Sequence, residues 1–206
     1  TLLMLATRGG NMKIKIEISA RHCHLSSQDL EKLFGKSYQL KPVKALSQPG
    51  QFIARETLNV KTPDGCLEKL RILGPARGKT QVEISRTDAR RLNIHPPVRQ
   101  SGSIEKSISV ELVGPNGAVK IKEGVIIAER HIHCDMATAK KLGLKNNQRI
   151  SVKTNGVRSL TFNNVVVRIH KDFSLALHID TDEANASLNF DREKETEYGL
   201  LITKPI

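Results

Sequence analysis

Short runs of alternating apolar and polar residues dominate this chain. A period of two puts one face of a strand on a core, and these runs have strand length. The pattern predicts strands over Lys13–Ser19, Glu56–Lys61, Leu67–Leu73, Thr80–Ile84, Ser107–Val113, Ala118–Ile121, Gly124–Ala128, Arg149–Val152, Leu160–Val167 and Ser174–Ile179. Pro63-Asp64-Gly65, Gly114-Pro115-Asn116-Gly117 and Asn155-Gly156 read as hairpin connections, since these residues accept the dihedrals of tight turns. Arg99–Lys106 reads as a polar surface loop. The acidic and basic tail after Asn189 predicts no element.

One local pattern recurs four times. A strand ends in a residue able to bind a metal, a helix-capping residue stands two positions later, and an acid or Thr follows three positions on. A short helix begins there. The copies are His24, Ser26, Asp29; Glu83, Ser85, Asp88; His133, Asp135, Thr138; and His178, Asp180, Glu183. The Ser or Asp oxygen can accept from the open N–H groups of a first helical turn, and an acid at the third position can return a bond. Gly35, Asn93 and Gly143 lie past the last Leu of three copies and suit a left-handed stop. All four candidate ligands thus share one address, the mouth of a strand before a helix.

Two copies carry His-x-His, as Arg21-His22-Cys23-His24 and Arg130-His131-Ile132-His133. Residues i and i+2 of a strand point to one face, so each pair offers two imidazoles together. Imidazole suits Zn²⁺ and similar ions, and a carboxylate can complete the shell. His178 occupies the matching position in the fourth copy. His95 and His170 read as ordinary surface residues. Cys23 and Cys134 are out of phase with the pairs and read as small buried hydrophobes rather than ligands or nucleophiles. Around Arg77, the stretch Gly74-Pro75-Ala76-Arg77-Gly78-Lys79 places backbone donors beside a guanidinium, an arrangement that can hold phosphate by two oxygens.

Composition narrows the class. Aromatic residues make up 3% of the chain and Trp is absent, so the core must come from Val, Ile, Leu and Ala. No apolar run approaches the ~18 residues of a membrane span, and a soluble protein is expected. The formal charge of +12 calls for polyanionic partners. With so few aromatics for base stacking and no long basic tract, a phosphate-rich small molecule fits this charge as well as nucleic acid does. Three cysteines without an export signal point to a reducing compartment. The apolar patch before Met12 is too short and poorly flanked for export, and Met12 is a candidate native start.

With these residues assembled, the chain resembles the PduL-type phosphotransacylases, or phosphate propanoyltransferases. The likeness runs through EISARHCHLS, PVKALSQPGQF followed by ARET, RILGPARGKTQVEISRTDARRL, GVIIAERHIHCD and HIDTDEAN, roughly Ile14 to Asn189. It implies a mainly β fold of two small β-barrels with short capping helices and an active site between them. One barrel would comprise residues 12–20 with 129–190 and the other 21–128, with 1–11 and 191–206 as extensions. It implies two zinc ions, one held by His22, His24 and Glu83 and the other by His131, His133 and His178, with Arg77 as the phosphate-binding arginine.

Lys44, Arg71 and Asn185 lie in family-like motifs and are expected to contact coenzyme A. The implied reaction exchanges the CoA of propanoyl-CoA or acetyl-CoA for inorganic phosphate, reversibly. Direct attack is expected, because no activated Ser or Cys nucleophile is evident. A bacterial cytoplasmic homodimer is expected, and some members enter bacterial microcompartments, with shell or lumen proteins as partners. Neither nucleic acid nor membrane is an expected partner. A cupin-like single-metal site is disfavoured, because there the Glu follows the His pair within a few residues. A basic, zinc-stapled nucleic-acid-binding module is the rival of a different class; it would bind with a steep salt dependence.

Overall fold

A computed structural model gives the structure of the protein and describes residues 12–188 and 197–202. The expected extension over residues 1–11 lies outside the described residues, as do 189–196 and 203–206 of the tail. The chain runs through β1 (Met12–Ser19), β2 (His22–His24), α1 (Ser27–Phe34), β3 (Pro42–Ala45), β4 (Phe52–Lys61), β5 (Cys66–Gly74), β6 (Gln81–Glu83) and α2 (Arg86–Arg91). It continues with β7 (Val98–Arg99), β8 (Ile108–Gly114), β9 (Gly117–Ala128), β10 (His131–Cys134) and α3 (Met136–Leu142). The last elements are β11 (Arg149–Thr154), β12 (Thr161–Ile169), β13 (Ala176–Asp180), α4 (Thr181–Ser187) and β14 (Glu197–Ile202).

The chain divides into two compact units, with breaks between Ser19 and Ala20 and between Ala128 and Glu129. In one unit, β1, β13, β10, β12, β11 and β14 close a barrel, β14 pairing back onto β1. In the other, β4, β5, β2, β6, β9 and β8 form a second ring, closed where β8 pairs with β4. Strands β3 and β7 are added outside that ring, on β4 and β9.

The two rings have the same pattern of strand pairing. In each, a His-x-His strand lies between an antiparallel and a parallel neighbour, β6 and β5 around β2, and β13 and β12 around β10. The strand beyond the antiparallel neighbour is parallel to it in both, β9 beside β6 and β1 beside β13. Each interior is aliphatic, as the composition requires. Leu58, Leu70, Ile72, Val82 and Leu112 fill one, and Ile14, Ile132, Val152, Leu177 and Leu201 fill the other.

The four helices begin where the recurring pattern places them. Ser26, Ser85, Asp135 and Asp180 are the N-caps, and their side chains accept from the backbone N–H of Asp29, Asp88, Thr138 and Glu183 at 3.1, 3.2, 2.9 and 2.8 Å. The reciprocal bond forms at Asp180, whose N–H donates to Glu183 Oε2 at 3.2 Å. At the other acids the third position is used differently: Asp29 accepts the Thr80 hydroxyl at 2.6 Å, and Asp88 accepts Arg21 Nη1 at 2.9 Å. Asn93 and Gly143 take positive φ after α2 and α3. Gly35 also has positive φ, but its ψ of 160° is extended rather than left-handed helical.

Three strands escape the alternation pattern. All four residues of β3 are exposed, so no polar-apolar rhythm marks it. β7 has only two residues. β14 opens on Glu197 and carries Gly199 before an apolar end, and it completes the barrel from the tail that predicts no element. Conversely, Ala118–Ile121 and Gly124–Ala128 belong to one strand. The apparent break is absorbed at Gly124, whose φ of 146° is strained for an L side chain and where a Cβ would stand 2.9 Å from the Thr80 carbonyl oxygen.

Candidate metal centres

Each His-x-His strand turns its middle residue into its barrel. Cys23 is fully buried among Leu25, Ile72 and Val82, and Ile132 lies in the other core. The flanking histidines therefore occupy the opposite face of the sheet. In-register residues on adjacent strands share a face. Register thus places Arg71, His22, Glu83 and Ile126 in one row across β5, β2, β6 and β9. In the other unit the corresponding row is Val166, His131, His178 and Glu17, across β12, β10, β13 and β1.

Two compact donor groups result. His22, His24 and Glu83 each offer a ligand atom, all within 4.8 Å of one another, and the same holds for His131, His133 and His178. All six expected ligand positions are thus brought together, three in each unit. Five of the six are buried and His178 is half-buried. The imidazole centroids of the second group are 4.6–5.1 Å apart, and Phe173 stacks on His133 at 4.0 Å.

Proton placement follows from the neighbours. Nδ1 of His22 lies 2.8 Å from the carbonyl oxygen of Ala20, and Nδ1 of His131 lies 2.8 Å from that of Glu129. Nδ1 of His24 meets the Leu73 carbonyl at 3.2 Å. A carbonyl can only accept, so each Nδ1 carries the proton and each Nε2 keeps a lone pair directed elsewhere. Burial, with electrostatic help from the neighbouring His22 ring and the Arg77 charge and against Glu83, pushes His24 down to about 3 and holds it in the neutral, ligating form. This donor set, imidazole nitrogens with one carboxylate in one group and imidazoles alone in the other, fits a borderline divalent cation such as zinc.

The arginine before each pair is an anchor common to both units. Arg21 reaches Asp88 on α2 at 2.9 Å, and Arg130 Nε reaches Glu183 on α4 at 2.7 Å. Each bond ties the helix following the third ligand strand to the residue before the pair, which fixes the rings through the backbone.

Glu83 is braced by residues the motif reading does not single out. Its Oε2 faces His22 Nε2 at 3.6 Å, while its Oε1 accepts Gln81 Nε2 at 2.5 Å and the Ser101 hydroxyl at 2.8 Å. Gln81 Nε2 also donates to Ser101 Oγ at 2.9 Å, and its Oε1 accepts Gly102 N–H at 2.7 Å. Gln81 carries a sequence signal, since it lies two positions before Glu83 on one strand and shares its face. Ser101 has none; it arrives from the Arg99–Lys106 loop.

Arg77 sits beside the first group. Its backbone N–H donates at 2.8 Å to the carbonyl of Leu25, the residue just before the helix cap Ser26, and its charge reaches His24. Its side chain is exposed. Arg71 shares the His22 row and donates to the Ala54 carbonyl at 3.3 Å. Lys44 lies on the exposed β3, outside the six-strand ring. Asn185 is exposed on α4 in the other unit. His95 and His170 are exposed, as expected.

Burial drives the Cys23 thiol far above its ordinary value, and burial followed by the Asp135 charge pushes Cys134 up to about 11. Neither is placed to act as a thiolate. Cys66 is exposed at the start of β5. Among the described residues no helix is long and apolar enough to cross a membrane.

Comparison with known proteins places this arrangement among relatives. The family model described as phosphate propanoyltransferase matches residues 15–189. The phosphate propanoyltransferase of Thermotoga maritima is 49% identical over 176 residues, 85% of this chain and 84% of that protein. Those of Priestia megaterium and Enterococcus faecalis are 49% and 47% identical, over 85% and 84% of this chain and 81% and 82% of theirs.

Proposed function

The chain belongs to the phosphate propanoyltransferase family, and from that premise we propose that it interconverts propanoyl-CoA or acetyl-CoA plus phosphate with the acyl phosphate plus CoA, using two zinc ions. The observation that carries the metal part is the pair of compact donor groups, three ligand atoms in each unit. His22, His24 and Glu83 would hold one zinc, and His131, His133 and His178 the other. The chemistry zinc supplies when bound is Lewis acidity toward a thioester carbonyl or a departing thiolate.

The remaining tasks fall to side chains. In the forward direction a phosphate oxygen forms a bond to the acyl carbon, the carbon–sulfur bond breaks, and its electron pair leaves with the CoA sulfur. Arg77 is proposed to hold phosphate by two oxygens, orienting the attacking one and offsetting the charge brought to the acyl group. The buried, high-pKa Cys23 and Cys134 support direct attack over an acyl-cysteine intermediate. Arg71, Lys44 and Asn185 are proposed as contacts for the phosphates and polar groups of CoA. Arg71 has the strongest structural support, standing in register with His22.

The direct test is phosphate-dependent release of CoA from propanoyl-CoA and acetyl-CoA, with metal analysis of the same preparation. Arg77→Ala should lose turnover by about a hundredfold or more, the usual cost of removing one charge-stabilising donor, while remaining folded with both metals bound. CoA release that ignores phosphate, or full turnover in that variant, would refute the proposal. The same reading gives a bacterial cytoplasmic homodimer, with microcompartment shell or lumen proteins as candidate partners. Sedimentation and co-purification from the source cell test these assignments.

A further inference from the structure

The shared pairing pattern of the two rings lets their ligand rows be compared strand by strand. On the His-x-His strands the rows match, His22 against His131. One strand further they differ, with Glu83 on β6 where β13 carries His178. One strand further again they differ in the opposite sense, with buried, apolar Ile126 on β9 where β1 carries Glu17. Each row therefore contains one carboxylate, displaced by a single strand between the units.

Building on the metal reading above, we infer that Glu17 is a fourth protein donor to the cation held by His131, His133 and His178, making that centre three imidazoles and a carboxylate. Register aims Glu17 at the site: it pairs with His178 across the parallel β1–β13 ladder, and its Oε2 lies 3.8 Å from His178 Nε2. The matching carboxylate-to-imidazole separation in the other unit, Glu83 Oε2 to His22 Nε2, is 3.6 Å. Two donors on one tetrahedral zinc, with bonds of about 2.1 Å, stand ~3.4 Å apart. Both pairs are within half an ångström of that spacing.

The carboxylate lies at the His178 edge of the compact triad and is steadied from the far side. Its Oε1 accepts Lys15 Nζ at 2.8 Å, which leaves Oε2 turned toward the imidazoles. Lys15 and Glu17 are two apart on β1 and share its outer face, while Ile14 and Ile16 point into the barrel. The Glu17 side chain is 20% exposed and lies outside the 4.8 Å grouping of the three imidazoles, so ligation requires it to turn inward from the His178 edge. An anionic donor would also give both centres the same formal charge.

The test titrates zinc, and separately cobalt, into the metal-free full chain against a chromophoric chelator. Wild type, Glu17→Gln, Glu17→Ala, Lys15→Met and His131→Ala are compared, with circular dichroism and thermal unfolding of each metal-free protein. Wild type should take two equivalents and His131→Ala one. Glu17→Gln and Glu17→Ala should keep one equivalent at wild-type affinity and bind the other about 10–100-fold more weakly, with an altered cobalt absorption band. Lys15→Met should change little, because the Lys15 end of that ion pair is exposed and water can take its place at Oε1.

Two unchanged affinities in both folded Glu17 variants, with His131→Ala losing an equivalent, would overturn the inference and leave the metal reading standing. A wild-type chain that takes no metal at His131, His133 and His178 would overturn both. If Glu17→Gln unfolds, the Glu17→Ala titration decides alone, and the cobalt band of Glu17→Asp decides if both unfold.

Discussion

Removing the Ser101 hydroxyl should weaken one metal centre and leave the other untouched. Glu83 divides its oxygens, Oε2 toward His22 and Oε1 toward Gln81 and Ser101. Ser101→Ala deletes the 2.8 Å bond to that carboxylate and the acceptor of the 2.9 Å bond from Gln81. A hydrogen bond to an ionised group contributes about 1.5–3 kcal/mol. Ser101 is only half-buried, and water can partly replace it, so the lower part of that range, about 1.5–2 kcal/mol, applies. At 1.4 kcal/mol per tenfold, this is about 10–30-fold in affinity. The assay is zinc competition with a chromophoric chelator, each equivalent assigned by comparison with His24→Ala and His133→Ala. Gln81→Leu should act on the same equivalent. The double variant should lose less than the sum of the singles, since the three groups form one triangle and coupling of 0.5–3 kcal/mol is usual for such neighbours. An unchanged first-centre affinity in Ser101→Ala would refute the bracing argument, as would strict additivity in the cycle.

Thiol reagent at pH 8 should titrate one group rapidly in the native chain, Cys66, and three after denaturation. Cys134, at about 11, is only about 0.1% thiolate at that pH, and a second fast native thiol would contradict the burial described for Cys23 and Cys134. Under single-turnover conditions with acyl-CoA and no phosphate, no burst of CoA is expected, and a stoichiometric burst would mean an acyl-enzyme. Gly65→Ala should lower stability by about 1–3 kcal/mol, typical of forced overpacking, because the added Cβ would stand 2.0 Å from the Arg91 carbonyl oxygen; a wild-type urea midpoint would show that the turn moves freely. Chelation should lower the thermal midpoint reversibly: free zinc at a hundredfold over its dissociation constant stabilises each site by about 2.7 kcal/mol, so an unchanged midpoint would argue against bound metal.

Local signals in this chain were strong because the features they report are local. A helix cap needs only a Ser or Asp and the N–H three residues on, so all four helix starts were legible from Ser26, Ser85, Asp135 and Asp180. Alternation across two residues sufficed to turn His22 and His24 one way and Cys23 the other. The family likeness carried the grouping of Glu83 with the first pair and His178 with the second.

Other features depend on which strands lie side by side, and local sequence does not encode that. β14 lacks a clear rhythm, yet its backbone groups are satisfied between β1 and β11. Ser101 lies in a loop of ordinary polar composition, and only folding brings its hydroxyl to Glu83. Glu17 looks like any solvent-facing residue of an alternating strand until the parallel pairing of β1 with β13 sets it opposite His178. The sequence by itself determined most of the strands, the caps and the donor types, because each follows from dihedral preference or side-chain chemistry over a few residues. Only the tertiary structure decided the pairings beyond the three hairpins, because ladders such as that of β1 with β13 join residues that the chain separates by more than a hundred positions.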